Sequence, residues 1–168
     1  MRALTHNATL RAVVPGDEAF LARVYGSTRE EELNQVAWEP GHREAFLAQQ
    51  FAAQHQYYRE VYPAAAFQVI LRDGQPAGRL YLNRGAAEHR IIDIALLAEH
   101  RNAGIGTGLL RDLMAEAAAA GKPLTIHVER FNPALRLYER LGFRLLEDKG
   151  VYLLLGWDAP ADQPKTAS

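Results

Sequence analysis

No cysteine occurs anywhere in the 168 residues. That absence removes disulfides, thiolate zinc sites and a cysteine nucleophile together, and it suits a reducing compartment, so a cytoplasmic protein is expected. Long hydrophobic runs are missing as well. No stretch approaches the ~20 apolar residues that a membrane helix needs, and Met1 to Thr9 lacks the apolar core of a signal peptide. Neither sign of charge is in surplus: 19 Lys and Arg stand against 20 Asp and Glu, for a formal net charge of -1. Such a chain carries no field that would gather nucleic acid or an anionic membrane, and neither is expected as a partner. The six histidines show no metal-ligand spacing and have no cysteine to assist them, so no metal is expected. No Ser, His and Asp arrangement suggests a covalent intermediate either.

What remains is the composition of an ordinary globular protein, 48% hydrophobic and 23% charged. Its length suits one domain over residues 1–168, with a polar, proline-containing tail from about 159. Apolar alternation at Leu10, Ala12 and Val14 reads as a strand, and Asp17 as the N-cap of a helix through Tyr25. Ser27 to Gly41 loses its period. A helix is expected from His42 to Glu60, with Leu47, Phe51 and Tyr58 on its apolar side. Ala66 to Leu71 and Ala77 to Asn83 flank Asp73-Gly74, the signature of a hairpin. Arg90 to Leu97 is an apolar run broken only by Asp93, which reads as a strand buried on both faces. Helices from Ile105 to Ala120 and from Asn132 to Leu141 alternate with a strand from Pro123 to Val128. A last pair, Phe143 to Glu147 and Val151 to Trp157, closes the domain. The reading is a mixed α/β domain of about seven strands and four helices.

Between the buried strand and the helix lies Arg101-Asn102-Ala103-Gly104-Ile105-Gly106-Thr107-Gly108. A helix start leaves about four N–H groups unpaired and carries roughly half a positive charge, so glycines there let an anion approach. A Gly-x-Gly pair taken alone could equally serve only a tight turn. Rival nucleotide loops fit badly: Leu109 stands where the dinucleotide fingerprint wants its last glycine, and no Gly-Lys-Ser/Thr follows.

Arg101-x-x-Gly104-x-Gly106 resembles the Gln/Arg-x-x-Gly-x-Gly/Ala signature of the GNAT acetyltransferase superfamily. Downstream, Asn132-Pro133-Ala134-Leu135-Arg136-Leu137-Tyr138-Glu139-Arg140-Leu141-Gly142-Phe143 is similar to that family's Asn-x-x-Ala/Ser-x-x-x-Tyr-x-x-x-Gly-Phe segment. The likeness is strong from about Arg90 to Trp157 and only topological before. It implies a GNAT-type fold and an N-acyltransferase that passes acetyl from acetyl-CoA directly to an amine of a small molecule or peptide. The cofactor is then expected where the strands Arg90 to Leu97 and Pro123 to Val128 splay. Its pyrophosphate would lie on Arg101, Asn102, Ala103, Gly104, Ile105, Gly106 and Thr107, and its thioester carbonyl on an amide near Ala95 or Leu96. By the same resemblance Tyr138 is the general acid, and Asn132 holds the cofactor or its turn.

Asp93, at a strand position where many GNAT enzymes carry an acid, is the expected base, with Glu88, His89 and His127 behind it. Trp38, Gln50, Gln54, Tyr57, Tyr58 and Tyr62 are candidates to line an acceptor pocket. A non-catalytic acyl-CoA-binding domain is the alternative, needing neither Tyr138 nor Asp93, and a homodimer is left open.

Overall fold

The computed structural model describes residues 8–160; most of the expected tail, and nearly all of the segment read for a signal peptide, lie outside them. A seven-stranded sheet runs through the molecule in the order β1-β2-β3-β4-β5-β7-β6. Its strands are β1 (Ala8–Ala12), β2 (Ala66–Arg72), β3 (Gln75–Arg84), β4 (His89–Leu96), β5 (Leu124–Glu129), β6 (Arg144–Asp148) and β7 (Tyr152–Trp157). Every neighbouring pair is antiparallel except β4 and β5.

The helices divide between the two faces. α4 (Ile105–Ala120) buries Ile105, Leu109, Leu110, Leu113 and Ala117, a stripe at helical spacing. With α5 (Leu135–Leu141) it covers Leu80, Leu82, Ile91, Leu124 and Ile126 in the main core; each such side chain contributes roughly 2 kcal/mol on burial. α1 (Glu18–Ser27) and α3 (His42–Val61) form a smaller cluster around Leu21, Tyr25 and Phe51. Side chains alternate along a strand, so Arg79 and Tyr81 point to this second face while Leu80 and Leu82 enter the main core. The β2–β3 turn needs two left-handed residues, and Asp73 (φ 50°) and Gly74 (φ 80°) supply them. No helix among the described residues is long and apolar enough to cross a membrane.

Three expectations change in detail. The described residues hold five α-helices rather than four, because Glu30–Asn34 forms α2, a five-residue helix whose one buried side chain is Leu33. A single apolar anchor leaves no period to read. The helix expected from Asn132 begins at Leu135, since Asn132 makes a turn of its own by accepting a hydrogen bond from the Ala134 amide at 2.8 Å. Asp17 does stand at the N-cap of α1, but its carboxylate reaches backward. It accepts from the Val14 amide at 2.8 Å and pairs with both terminal nitrogens of Arg11 at 2.8 and 2.9 Å.

The Arg11 guanidinium, by hydrogen bonding, holds the Asp17 carboxyl down at about 2. A carboxyl depressed in the folded state stabilises above the unfolded value near 3.9 and loses that contribution as pH falls through about 2. Asp17→Ala is therefore expected to cost about 1 to 2 kcal/mol at pH 7, with the gap to the parent closing between about pH 4 and pH 2. Urea titrations at pH 7 and pH 2.5 check this; an equal gap at both would detach the stability from the carboxylate charge.

Candidate functional site

Parallel pairing between β4 and β5 lasts for three residue pairs, His89 with Leu124, Arg90 with Thr125 and Ile91 with Ile126. Beyond them each strand stays with its other neighbour: β4 follows β3 to Leu96, opposite Gly78, and β5 follows β7 to Glu129, opposite Tyr152. A wedge therefore opens in mid-sheet, with facing backbone groups that no strand pairs. A β-bulge sits where it begins. Tyr81 lies opposite Asp93 but Leu82 opposite Ile91, leaving Ile92 as the extra residue in β4.

The backbone at the end of β4 sorts its two candidate amides. Leu97 donates to the Ala77 carbonyl at 2.9 Å. Antiparallel alternation then turns the Ala95 amide toward β3 and the Leu96 amide toward the wedge. The Leu96 carbonyl also points away from β3, accepting from Arg101 Nε at 3.0 Å. β3 and β4 run close together here: a Cβ on Gly78 would come within 2.1 Å of the Ala95 carbonyl oxygen. Only glycine fits that position without pushing β4 into the wedge.

At the mouth of the wedge the chain turns into α4. Asn102 (φ 62°) and Gly104 (φ 83°) take left-handed conformations, and Gly104 is the N-cap. Gly108 is the first of these amides to return to Gly104, at 3.0 Å. The amides of Ile105, Gly106 and Thr107 thus point out of the helix start, with the positive end of a 16-residue helix behind them and no acidic residue in its first turn. A Cβ at Gly104 or Gly106 would meet no heavy atom within 4 Å, so the cradle has room for a phosphate. Ile105 anchors the loop in the core. Arg101 spends its Nε on tying the loop to β4.

Tyr138 reaches the same region from α5. Its ring is buried, 4% exposed, and packs edge-on against Phe143 with centroids 5.6 Å apart. The backbone joins the same two residues: Gly142 (φ 101°) ends the helix, and the Phe143 amide donates to the Tyr138 carbonyl at 3.0 Å. Burial pushes the Tyr138 phenol up, and the negative charge of Asp93 pushes it further.

The sequence profile of the Acetyltransferase (GNAT) family matches residues 29–143, a span that holds the wedge, the loop and Tyr138. The chain belongs to the GNAT acetyltransferase family. Among solved structures it is similar to PaiA N-acetyltransferase from Thermoplasma acidophilum, crystallised in complex with coenzyme A. The TM-score is 0.67 at 15% identity, over 89% of this chain and 97% of that one. An acetyltransferase from Thermus thermophilus superposes with a TM-score of 0.65 at 21% identity, over 94% and 99% of the two chains. No curated protein sequence matches. As a GNAT protein the chain is an acyl-CoA-dependent N-acetyltransferase on a mixed, seven-stranded α/β sheet.

Other residues singled out in this GNAT sequence fall in different places. Asp93 lies on the α1 and α3 face of β4, its side chain 19% exposed, in an ion pair with Arg79 Nη2. His89 is at the closed end of the β4–β5 ladder, opposite Leu124 and 3.5 Å from Glu116, away from the wedge. Glu88 pairs with Arg90 at 2.6 Å. His127 stands one residue past the ladder, but its ring lies between Arg90 at 3.1 Å and Lys149 at 3.2 Å. Burial, then those two cations, keep it below the usual histidine range. On α3, Gln54 and Tyr58 face the site: Gln54 accepts from Arg79 at 3.1 Å, and burial followed by Asp93 raises the Tyr58 phenol. Tyr57 is exposed, as is Gln50, while Trp38 donates to the Leu33 carbonyl at 2.8 Å and packs on Phe46. Sequence reasoning missed Arg79, 1% exposed at the centre of this face. Its signal was a lone cation in the apolar arm of a hairpin, at an alternating position shared with Tyr81.

Proposed function

We propose that the protein transfers an acetyl group from acetyl-CoA to a primary amine of a small molecule or peptide, in one step with both reactants bound. The observation that carries this reading is the three-pair β4–β5 ladder, which opens next to a helix start roomy enough for a pyrophosphate. The amides of Ile105 to Thr107 hold the phosphates, with Arg101, Asn102 and Ala103 shaping the loop and Asn132 fixing the turn before α5. Acetyl-CoA supplies an activated thioester. The Leu96 amide, free of β3, donates to the carbonyl oxygen as negative charge builds there; a single such donor is worth roughly 3 to 4 kcal/mol.

The amine must lose a proton before it attacks, because a lysine-like amine is only about one part in 10³ neutral at pH 7. Asp93 accepts that proton, directly or through a water. Tyr138 keeps its own proton throughout the working pH range, since its phenol is raised, and delivers it to the departing sulfur. A thiolate released into a dry site is itself more basic than one in water, which favours that transfer.

Release of free CoA against a panel of amines, amino acids and peptides tests the activity. One or more acceptors should raise it well above hydrolysis. With the best acceptor, Asp93→Asn should bind acetyl-CoA normally and lose about tenfold in kcat near pH 7, recovering partly as rising pH neutralises the amine in solution. A stable, fully active Asp93→Asn protein removes Asp93 from the mechanism.

A further inference from the structure

Arg79 is almost wholly buried, and burying a guanidinium costs several kcal/mol unless its partners compensate. The compensation here is uneven. Nη2 donates to both Asp93 and Gln54, one proton to each, while Nε and Nη1 have no hydrogen-bond partner among the described residues. Two tyrosine rings serve in their place: the guanidinium carbon is 5.1 Å from the Tyr81 ring centroid and 5.9 Å from that of Tyr25. A cation kept only for stability would be cheaper to replace by an apolar side chain of similar volume.

Its placement points to a different use. Arg79 sits opposite Ala95 and Tyr81 opposite Asp93, so the guanidinium reaches the carboxylate along the diagonal. The bulge at Ile92 breaks the regular β3–β4 register at this point. Through Gln54 the same nitrogen ties in α3, the helix that carries Tyr58. The charged and titratable groups facing Asp93 are thus Arg79 and Tyr81 from β3, Tyr58 from α3 and Tyr138 from α5.

We infer that Arg79 is a positioning residue for the transfer: it fixes the Asp93 carboxylate in place against β3 and couples that carboxylate to α3 through Gln54. The inference rests on the reading of Asp93 as proton acceptor. It is tested by kcat, by KM for the amine and by acetyl-CoA affinity in the full chain, for Arg79→Gln, Arg79→Lys, Asp93→Asn and the double variant Arg79→Gln/Asp93→Asn.

Arg79→Gln should bind acetyl-CoA like the parent and lose about tenfold in kcat with KM for the amine nearly unchanged, the pattern of a group that acts only as bonds change. Arg79→Lys keeps the cation but not the fork, and should lose only severalfold in kcat, a partial rescue of the glutamine variant. In the Asp93→Asn background the Arg79→Gln change should cost nothing more. Parental kcat in Arg79→Gln, or an equal loss in both backgrounds, overturns the positioning role and leaves Asp93 untouched. If Arg79→Gln does not fold, parental kcat in Arg79→Lys overturns it instead. Full activity in Asp93→Asn is a separate failure, that of the reading beneath.

Discussion

Gly104→Asp is expected to raise the Kd for acetyl-CoA at least about 100-fold while leaving the fold intact. The backbone cost is small, because aspartate tolerates the left-handed region better than most residues and the new Cβ meets no neighbour. The carboxylate would even suit a helix N-cap. That is the source of the loss: the added side chain takes the free amides at the start of α4 and sets a negative charge where the pyrophosphate is proposed to sit. Gly104→Asn has the same shape without the charge and should retain more affinity. Titration calorimetry, together with the rise in melting temperature that ligand produces by mass action, separates the cases. Parental affinity in the aspartate variant would take the pyrophosphate off this loop.

Tyr138→Phe should lower kcat by about 100-fold with acetyl-CoA affinity nearly unchanged, the pattern of a group that acts only as bonds change. Packing is a poor alternative cause, since phenylalanine keeps the ring that packs on Phe143, and the helix end is fixed by backbone bonds. The pH profile adds a second reading. With its phenol raised by burial and by Asp93, Tyr138 titrates above the working range, so its removal should lower the whole curve without deleting a limb. Rate measurements must be made where chemistry limits turnover. An unchanged kcat there would reduce Tyr138 to a core residue.

How much of this could be read from the chain depends on whether the signal was local. Gly104, Gly121 and Gly142 each stand where a helix begins or ends in a left-handed turn, and a glycine there is visible in one dimension. The hairpin at Asp73-Gly74 and the bounds of α4 followed from the same kind of evidence. The short α2 was invisible because Glu30, Glu31 and Glu32 give no apolar rhythm and Leu33 alone enters the core. Asn132 was placed one turn too early in a helix because a capping asparagine and an asparagine closing its own turn look alike in sequence. The loop and Tyr138 were singled out by their resemblance to the GNAT signatures. Arg79 did not, since its partner Asp93 lies 14 positions away and meets it only when the bulged β4 docks on β3.

The brevity of the β4–β5 ladder has a mechanical meaning. Three rungs join a half-sheet of β1 to β4 with one of β5 to β7, and beyond them the sheet has a gap instead of a seam. If acetyl-CoA binds as proposed, it stands in for the missing rungs by hydrogen-bonding to the strand edge that the ladder leaves unpaired. On the proposed reading co-substrate and scaffold complete one another, the ligand supplying hydrogen bonds that the short ladder leaves unmade.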